Sequence, residues 1–348
     1  MSQLLSRRPY GPRDEALLLG ELNALTAHHR ARCQEYARIW PSSKDAATLE
    51  DVPFLHVGLF KHIELRSSAP DIKHERALLS SATTSGQSSR IVLDQRSGQL
   101  QSQSSAAILT DFVGAGKRPL LILDSARSLA RSREVSARLM AALSLQPLAT
   151  DLHFMLNIVD EPESVRWEVL TKVLKEHDEI LVYGFTYILW QVFGAGRVPE
   201  HVRSALRNKR VHFIHSGGWK KLEAIRVDSA TLTAALVHGL DPASKVVDYY
   251  GLVEQVGVIY PLCEAGFRHV PIWAAALVRE TATLRPLVSE PGQLQLMNLL
   301  AWGAPYHSVL TEDLGRIVPG TCACGRGGTR FELLGRLPKA ELRGCANV

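Results

Sequence analysis

From about residue 118 the chain alternates short aliphatic runs with helix-patterned stretches, and no other feature narrows its fold as far. Pro119–Asp124, Phe154–Val159, Ile180–Gly184 and Val211–His215 read as strands of buried type. Helices are expected over Ser128–Leu145 and Ser164–Glu176, through Phe193, and again to about Asn208. Nearly continuous apolar strands joined by helical crossovers predict an α/β fold: a mostly parallel sheet with helices on both faces and a ligand crevice at the strand carboxyl ends. After residue 246 strands and turns dominate, at Val246–Tyr250, Val256–Tyr260, His269–Val278, Gln293–Leu300 and Val309–Val318. These predict a smaller, mostly antiparallel β subdomain. Ala16–Trp40 has apolar residues at helical spacing and stops at Pro41, predicting one or two outer helices. The expected layout is therefore a helical extension (1–50), an α/β core (51–245), a β-rich subdomain (246–335) and a hinge remnant with tail (336–348).

Charge and cysteine usage narrow the class. The formal charge is +5 and the pI about 9.0, but Lys and Arg are scattered singly, so nucleic acid is not an expected partner. A basic site for an anionic nucleotide fits better. Met1–Asp14 carries Arg7, Arg8 and Arg13 without an apolar core, so no secretory signal is expected. Ile180–Val192 is too short to span a bilayer and contains Gly184, Thr186 and Gln191. Cysteines 33, 263, 322, 324 and 345 form an odd, sparse set, which points to a reducing cytoplasm with thiols used for metal or catalysis.

Leu79–Arg90 is a run of small hydroxyl residues with one glycine, closed by a cation. It reads as a phosphate loop, in which backbone N–H groups and hydroxyls converge on an anion, or as a Ser/Thr linker. Gln101–Ser105 reads as helix surface or a mobile turn without chemistry of its own.

Four stretches follow in fixed order: residues 80–90, Ser216-Gly217-Gly218, Asp248-Tyr249-Tyr250-Gly251-Leu252-Val253-Glu254, and Thr311-Glu312-Asp313-Leu314-Gly315-Arg316, with Gly335-Arg336 close behind. Together they resemble the ordered motifs of the adenylate-forming superfamily, and the resemblance covers roughly residues 50–348. Within it the chain is most similar to the acyl-protein synthetase of the bacterial luminescence fatty-acid reductase complex, a relative of phenylacetate–CoA ligases. The residues that suggest this are Thr84-Ser85-Gly86-Gln87, Gly217-Gly218-Trp219-Lys220-Lys221, Tyr250 through Gly257, Cys322-Ala323-Cys324-Gly325-Arg326 and Leu342-Arg343-Gly344-Cys345.

The resemblance implies the large N-terminal-type domain of such enzymes and ATP-dependent activation of a carboxylic, fatty-type acid as an acyl-adenylate. It implies transfer to the protein's own Cys345 as a thioester, for delivery to a reductase-type partner. Implied for ATP and AMP are Ser81, Thr84, Ser85, Gly86, Gly217, Gly218, Tyr250, Gly251, Asp313 and Arg336, with Glu254 for Mg²⁺. Two other readings stay open: an acyl- or aryl-CoA ligase using free CoA, and a catalytically weakened nucleotide- or acyl-binding subunit. The second is suggested by Val253 in place of a phosphate-binding threonine and by Ala82-Thr83 in place of the usual glycine. The chain ends 12 residues beyond Arg336. The superfamily's separate C-terminal lid with its lysine is therefore expected to be absent, leaving Lys220, Lys221, Lys339 or a partner to supply that charge.

Cys263 and His269, with Cys322 and Cys324 on a glycine-rich turn, make a Cys₃His set suited to structural zinc, as related ligases carry a similar Cys-x-Cys-Gly-Arg turn. The other reading is a small buried thiol and a core histidine. Cys345 beside Arg343 is of a type whose thiol can act as a nucleophile. An apolar acid site is expected around Tyr183-Gly184-Phe185-Thr186, Ile188, Leu189, Trp190 and Phe193, or these are simply core.

Overall fold

The aliphatic runs between residues 118 and 250 form the expected parallel sheet. The structure, a computed structural model, describes residues 3–80, 88–130, 134–219 and 224–338. The sheet runs in the order Ala149–Phe154, Arg118–Ile122, Glu179–Phe185, Arg210–Ser216, Lys245–Tyr250, every pair parallel, with Tyr260–Pro261 as an antiparallel edge. Side-chain alternation divides these strands between two cores. Leu120, Ile122, Leu181, Tyr183 and Ile214 enter one, whereas Leu121, Leu123, Ile180, Val182, Val211 and Phe213 enter the other. Burial on both faces is why the strands read as continuous apolar runs. Because the first strand lies inside the sheet and its successors add on either side, the order reverses there and opens a crevice at the carboxyl ends.

A seven-stranded sheet packs alongside, in the order Arg268–His269, Arg330–Arg336, Ser308–Ile317, Gly292–Asn298, Ala274–Arg279, Pro286–Leu287. Its path is antiparallel, and Leu55–His56 adds in parallel to Ser308–Ile317. A three-stranded sheet joins Arg90–Asp94, His74–Leu79 and Glu134–Ser136.

Four local expectations change. Val246–Tyr250, grouped by pattern with the antiparallel strands, is the parallel neighbour of Arg210–Ser216. Ser128–Leu145 is not one helix: Ala126–Ala130 is a 3-10 turn and Glu134–Ser136 pairs with Ala77–Leu79, leaving a helix only over Ala137–Leu143. Backbone pairing there overrides helix propensity. Phe154–Val159 is not a strand, which instead occupies Ala149–Phe154; Ile158 and Val159 are exposed, and Asp160 turns the chain at φ 61. Finally, Gln101–Ser105 is helical, as one reading expected, but Gln101, Ser104 and Ser105 are buried and only Gln103 is exposed.

Four helices matter for the site: α1 (Glu15–Arg32), α2 (Gln34–Ile39), α3 (Gln95–Val113) and α4 (Ala137–Leu143). Asp94 caps α3 by accepting from the Arg96 and Ser97 amides. Inside α3, Gln101, Ser104 and Ser105 are buried because their short or bonded polar groups serve the neighbouring sheet. The Trp273 indole donates to Ser104 Oγ (2.8 Å), Gln101 Nε2 donates to the Tyr306 hydroxyl (3.1 Å), and Ser105 Oγ donates to the Gly257 carbonyl (3.3 Å). The approach is so close that a Cβ at Gly257, which has φ +87, would stand 2.5 Å from the Gln101 Cα. In α1, Leu18, Leu22 and Leu25 bury against the same core, and His29 stacks on His307 at 4.9 Å. Burial pushes both imidazoles down, His307 to about 3, so the pair packs uncharged.

Candidate active site

The carboxyl ends of Glu179–Phe185, Arg210–Ser216 and Lys245–Tyr250 open into a cavity of about 680 Å³ that reaches across to Ser308–Ile317. Its size falls in the usual range of small-molecule sites. Gly217, at φ +79, and Gly218 form one edge with Phe185 beneath them. The Thr186 hydroxyl donates to the Gly217 carbonyl (2.6 Å) and fixes that turn. Tyr250 and Gly251 continue the edge.

Asp313 stands opposite. The antiparallel ladder pairs it with Arg336, whose Nε donates to Asp313 Oδ1 (3.3 Å), and the Tyr250 hydroxyl donates to Oδ2 (2.7 Å). A carboxylate offers about four acceptor sites, so capacity remains for a diol. Burial and the adjoining Asp313 charge hold the Tyr250 phenol well above its ordinary range. Glu254 sits on a 3-10 turn (Val253–Gln255) and is 7% exposed. Burial pushes its pKa up, while the Ser89 hydroxyl donates to it. Gln255 anchors the turn, its Nε2 donating to the carbonyls of Leu296 (3.2 Å) and Tyr306 (2.9 Å). Val253 is buried at the cavity wall and offers no donor.

Thus Gly217, Gly218, Tyr250, Gly251, Glu254, Asp313 and Arg336, far apart in sequence, line one cavity. Ser81, Thr84, Ser85, Gly86, Lys220, Lys221, Lys339 and Cys345 lie outside the described residues. The flanks of the hydroxyl loop are described: Ser80 and Ser89 close a hairpin through Ser80 N–H to the Ser89 carbonyl (3.0 Å) and Ser89 N–H to Ser80 Oγ (2.8 Å), and both line the cavity.

The residues expected to line an apolar acid site or to be simply core divide between the two places. Ile188 and Leu189 are fully buried in the second core, with Trp190 and Phe193 packed on it, so of that group only Tyr183 and Phe185 reach the cavity. The apolar wall comes instead from Leu78, Met140, Leu143, Leu145, Val256, Val258 and Ile259, with Gly98, Gln101 and Ser102 of α3 facing it. Polarity hid the α3 face from sequence reading. Lys61 and Arg268 also line the cavity and were missed as single charges, as does Asp248 at the head of the Asp248–Glu254 motif. The one available signal for Lys61 was its place at the end of the apolar Val57–Phe60 segment.

A second constellation lies at the edge strand Arg268–His269 of the antiparallel sheet and on the turns beside it. The ligand atoms of Cys263, His269, Cys322 and Cys324 all fall within 4.8 Å of one another. Cys263 Sγ and Cys322 Sγ are 3.8 Å apart, and Cys324 Sγ is 3.3 Å from His269 Nε2. Two thiolates each about 2.3 Å from one tetrahedral ion would stand about 3.8 Å apart. The Phe267 N–H points at Cys263 Sγ (3.4 Å), and Gly266 and Gly325, at φ +84 and +79, make the two turns. His269 Nδ1 donates to the Gly327 carbonyl (3.3 Å), which leaves Nε2 for a metal. Burial pushes the Cys263 thiol up, a preference that a divalent cation reverses. The donor set therefore fits a divalent metal.

A family model described as "Acyl-protein synthetase, LuxE" matches residues 12–348. A long-chain-fatty-acid–luciferin-component ligase of Aliivibrio fischeri is 29% identical over 140 residues, 39% of this chain and 36% of that protein. The match thus spans about a third of that relative's length. An open conformation of 2-hydroxyisobutyryl-CoA ligase, solved with 2-HIB-AMP and CoA, is similar with a TM-score of 0.67 at 16% identity, covering 95% of this chain and 77% of that one. The postadenylation state of a 2-hydroxyisobutyryl-CoA ligase gives 0.65 at 15% identity, covering 95% and 70%. The fold is that of adenylate-forming ligases. No helix among the described residues is long and apolar enough to cross a membrane.

Proposed function

Because the chain belongs to the acyl-protein synthetase family, LuxE, we propose that it activates an apolar, fatty-type carboxylic acid with ATP and passes the acyl group to Cys345. The observation that carries this reading is the single cavity in which the Gly217-Gly218 edge, the Tyr250–Asp313–Arg336 set and buried Glu254 converge. A carboxylate is a poor acyl donor, since its leaving group would be oxide, and a mixed anhydride with AMP supplies a good one. Gly217, Gly218, Tyr250 and Gly251 accept the adenine, and Asp313 accepts the ribose hydroxyls while Arg336 and Tyr250 hold it in place. Ser81, Thr84, Ser85 and Gly86 cradle the phosphates. Glu254 is placed to hold Mg²⁺, which when bound screens the phosphate charge. The acid lies along the wall formed by Met140, Leu143, Val256 and Ile259.

Cys345 is nine residues beyond Arg336, which lines the cavity. An extended tether of that length spans at most about 30 Å, enough to return to the adenylate and then present the thioester to a reductase-type partner in the cytoplasm. Acid-dependent ATP–pyrophosphate exchange by the purified protein tests the adenylation half. Exchange that rises with a long-chain fatty acid is expected; none with any carboxylic acid would leave only a binding subunit.

The Cys263–His269–Cys322–Cys324 set is read as a structural zinc site, since it offers four protein ligand atoms within 4.8 Å of one another, as many as a closed tetrahedral site takes. Purified protein is expected to carry close to one zinc per chain, and chelation to lower its Tm by on the order of 5 °C or more. Well under one zinc per chain with an unchanged Tm in chelator would return the four residues to simple core.

A further inference from the structure

We propose that Lys61 is a catalytic cation of this cavity, its ammonium meeting the acid's carboxylate and the α-phosphate of ATP as the adenylate forms. This rests on the adenylation reading above. Four carboxylates line the cavity, Asp248, Glu254, Glu312 and Asp313, against three described cations, Lys61, Arg268 and Arg336. The two arginines face other carboxylates of the cavity. Arg268 donates to Asp248 Oδ2 (2.7 Å) and to the Tyr260 carbonyl (2.8 Å), and Arg336 to Asp313 (3.3 Å). Lys61 differs: its Nζ pairs with Glu312 at 3.6 Å, and its charge acts on Glu254, the carboxylate whose turn borders Ser89.

The backbone fixes that placement. Leu55–His56 pairs in parallel with Val309–Leu310, so the 3-10 helix Val57–Lys61 is delivered beside Thr311–Asp313. Val57 and Phe60 bury into the core, leaving Lys61 at the cavity. Its partner Glu312 is 39% exposed, and a pair of that kind is weak, so the ammonium can turn to a stronger anion at little cost.

The chemistry at this spot calls for such a group. A carboxylate oxygen must approach an already anionic phosphate; its lone pair forms the new O–Pα bond as the α–β bridging P–O bond breaks, and that electron pair leaves on pyrophosphate. No proton moves. Charge concentrates on the α-phosphoryl oxygens between the two bonds, where a fixed cation favours the transition state over the ground state.

A lysine that acted only as a strut would work through Glu312. The two roles separate when each partner is removed in turn, with acid-dependent ATP–pyrophosphate exchange and Tm as readouts. Lys61→Ala is expected to lower kcat by roughly 10²–10³-fold, with a smaller change in KM for ATP and a Tm within a few degrees. Lys61→Arg is expected to recover part of the loss. Glu312→Gln breaks the same pair yet keeps the ammonium, and is expected to retain exchange within about threefold. Lys61→Met, which keeps the apolar stem, replaces the alanine variant if that variant folds poorly. Exchange in Lys61→Ala within threefold of the unmodified protein would overturn the assignment, as would parallel losses of exchange and Tm in Lys61→Ala and Glu312→Gln. No exchange in the unmodified protein would overturn the adenylation reading and this one with it.

Discussion

Glu254→Gln is expected to lower acid-dependent ATP–pyrophosphate exchange by about 10²–10³-fold while moving the Tm by no more than a few degrees. The amide has the same shape, still accepts from the Ser89 hydroxyl, and leaves the Gln255 anchor to the Leu296 and Tyr306 carbonyls untouched. What it removes is a charge that burial already makes costly. Among the described residues Glu254 has no ion-pair partner within salt-bridge distance, and a carboxylate kept at 7% exposure in a cavity is a candidate for use in its ionised form. The pH profile follows from the same burial. Because the pKa is raised, the ionised form persists only above a value higher than the ordinary carboxylate range. Mg²⁺ must displace the carboxyl proton, so exchange at limiting Mg²⁺ should fall away as pH drops, earlier than an exposed carboxylate would allow. An equal rate in Glu254→Gln, or a profile flat down to the ordinary carboxylate range, would remove Glu254 from the reaction.

How much of this could be read from sequence differs by element, for physical reasons. The strands at Arg118–Ile122, Glu179–Phe185 and Arg210–Ser216 were legible because both their faces are buried, which writes an uninterrupted apolar run. The same alternation of Val and Tyr in Lys245–Tyr250 suits either sheet, and only the pairing with Arg210–Ser216 decides. Gln101–Ser105 defeated pattern reading because its burial is bought with hydrogen bonds to Trp273, Tyr306 and Gly257 rather than with apolar area. Motif order grouped Gly217, Tyr250, Glu254 and Asp313, which line one cavity, since each lies at a strand end or tight turn whose local sequence is distinctive. Whether Ile188 and Leu189 were cavity wall or core could not be read, because a run of Ile, Leu and Trp does not say which face of a sheet it covers; helix Thr186–Leu189 turns its apolar side to the second core. Lys61 and Arg268 were invisible for a simpler reason. A lone cation acquires meaning only from what it faces.

Cys345→Ala is the other substitution with a large expected effect, and it divides the reaction into halves. On the proposed reading the cysteine enters only after the adenylate has formed, so exchange should continue near the unmodified rate. The acyl group, however, would lack the tail thiol that attacks it in this account: thiolate sulfur forms the new bond to the acyl carbon, and AMP leaves with the electron pair of the broken C–O bond. A resident thiol on a tether of nine residues from Arg336 also has an advantage over free CoA, since its effective concentration near the adenylate is set by the chain and reaches the millimolar range for short linkers. The most direct measurement is therefore covalent labelling. Protein incubated with ATP, Mg²⁺ and a radiolabelled long-chain fatty acid, then precipitated with acid, is predicted to retain about one ATP-dependent, hydroxylamine-labile acyl group per chain, and Cys345→Ala none, with exchange preserved in both. A hydroxylamine-labile label that persists in Cys345→Ala, or no label beside rapid acyl transfer to free CoA, would contradict the account.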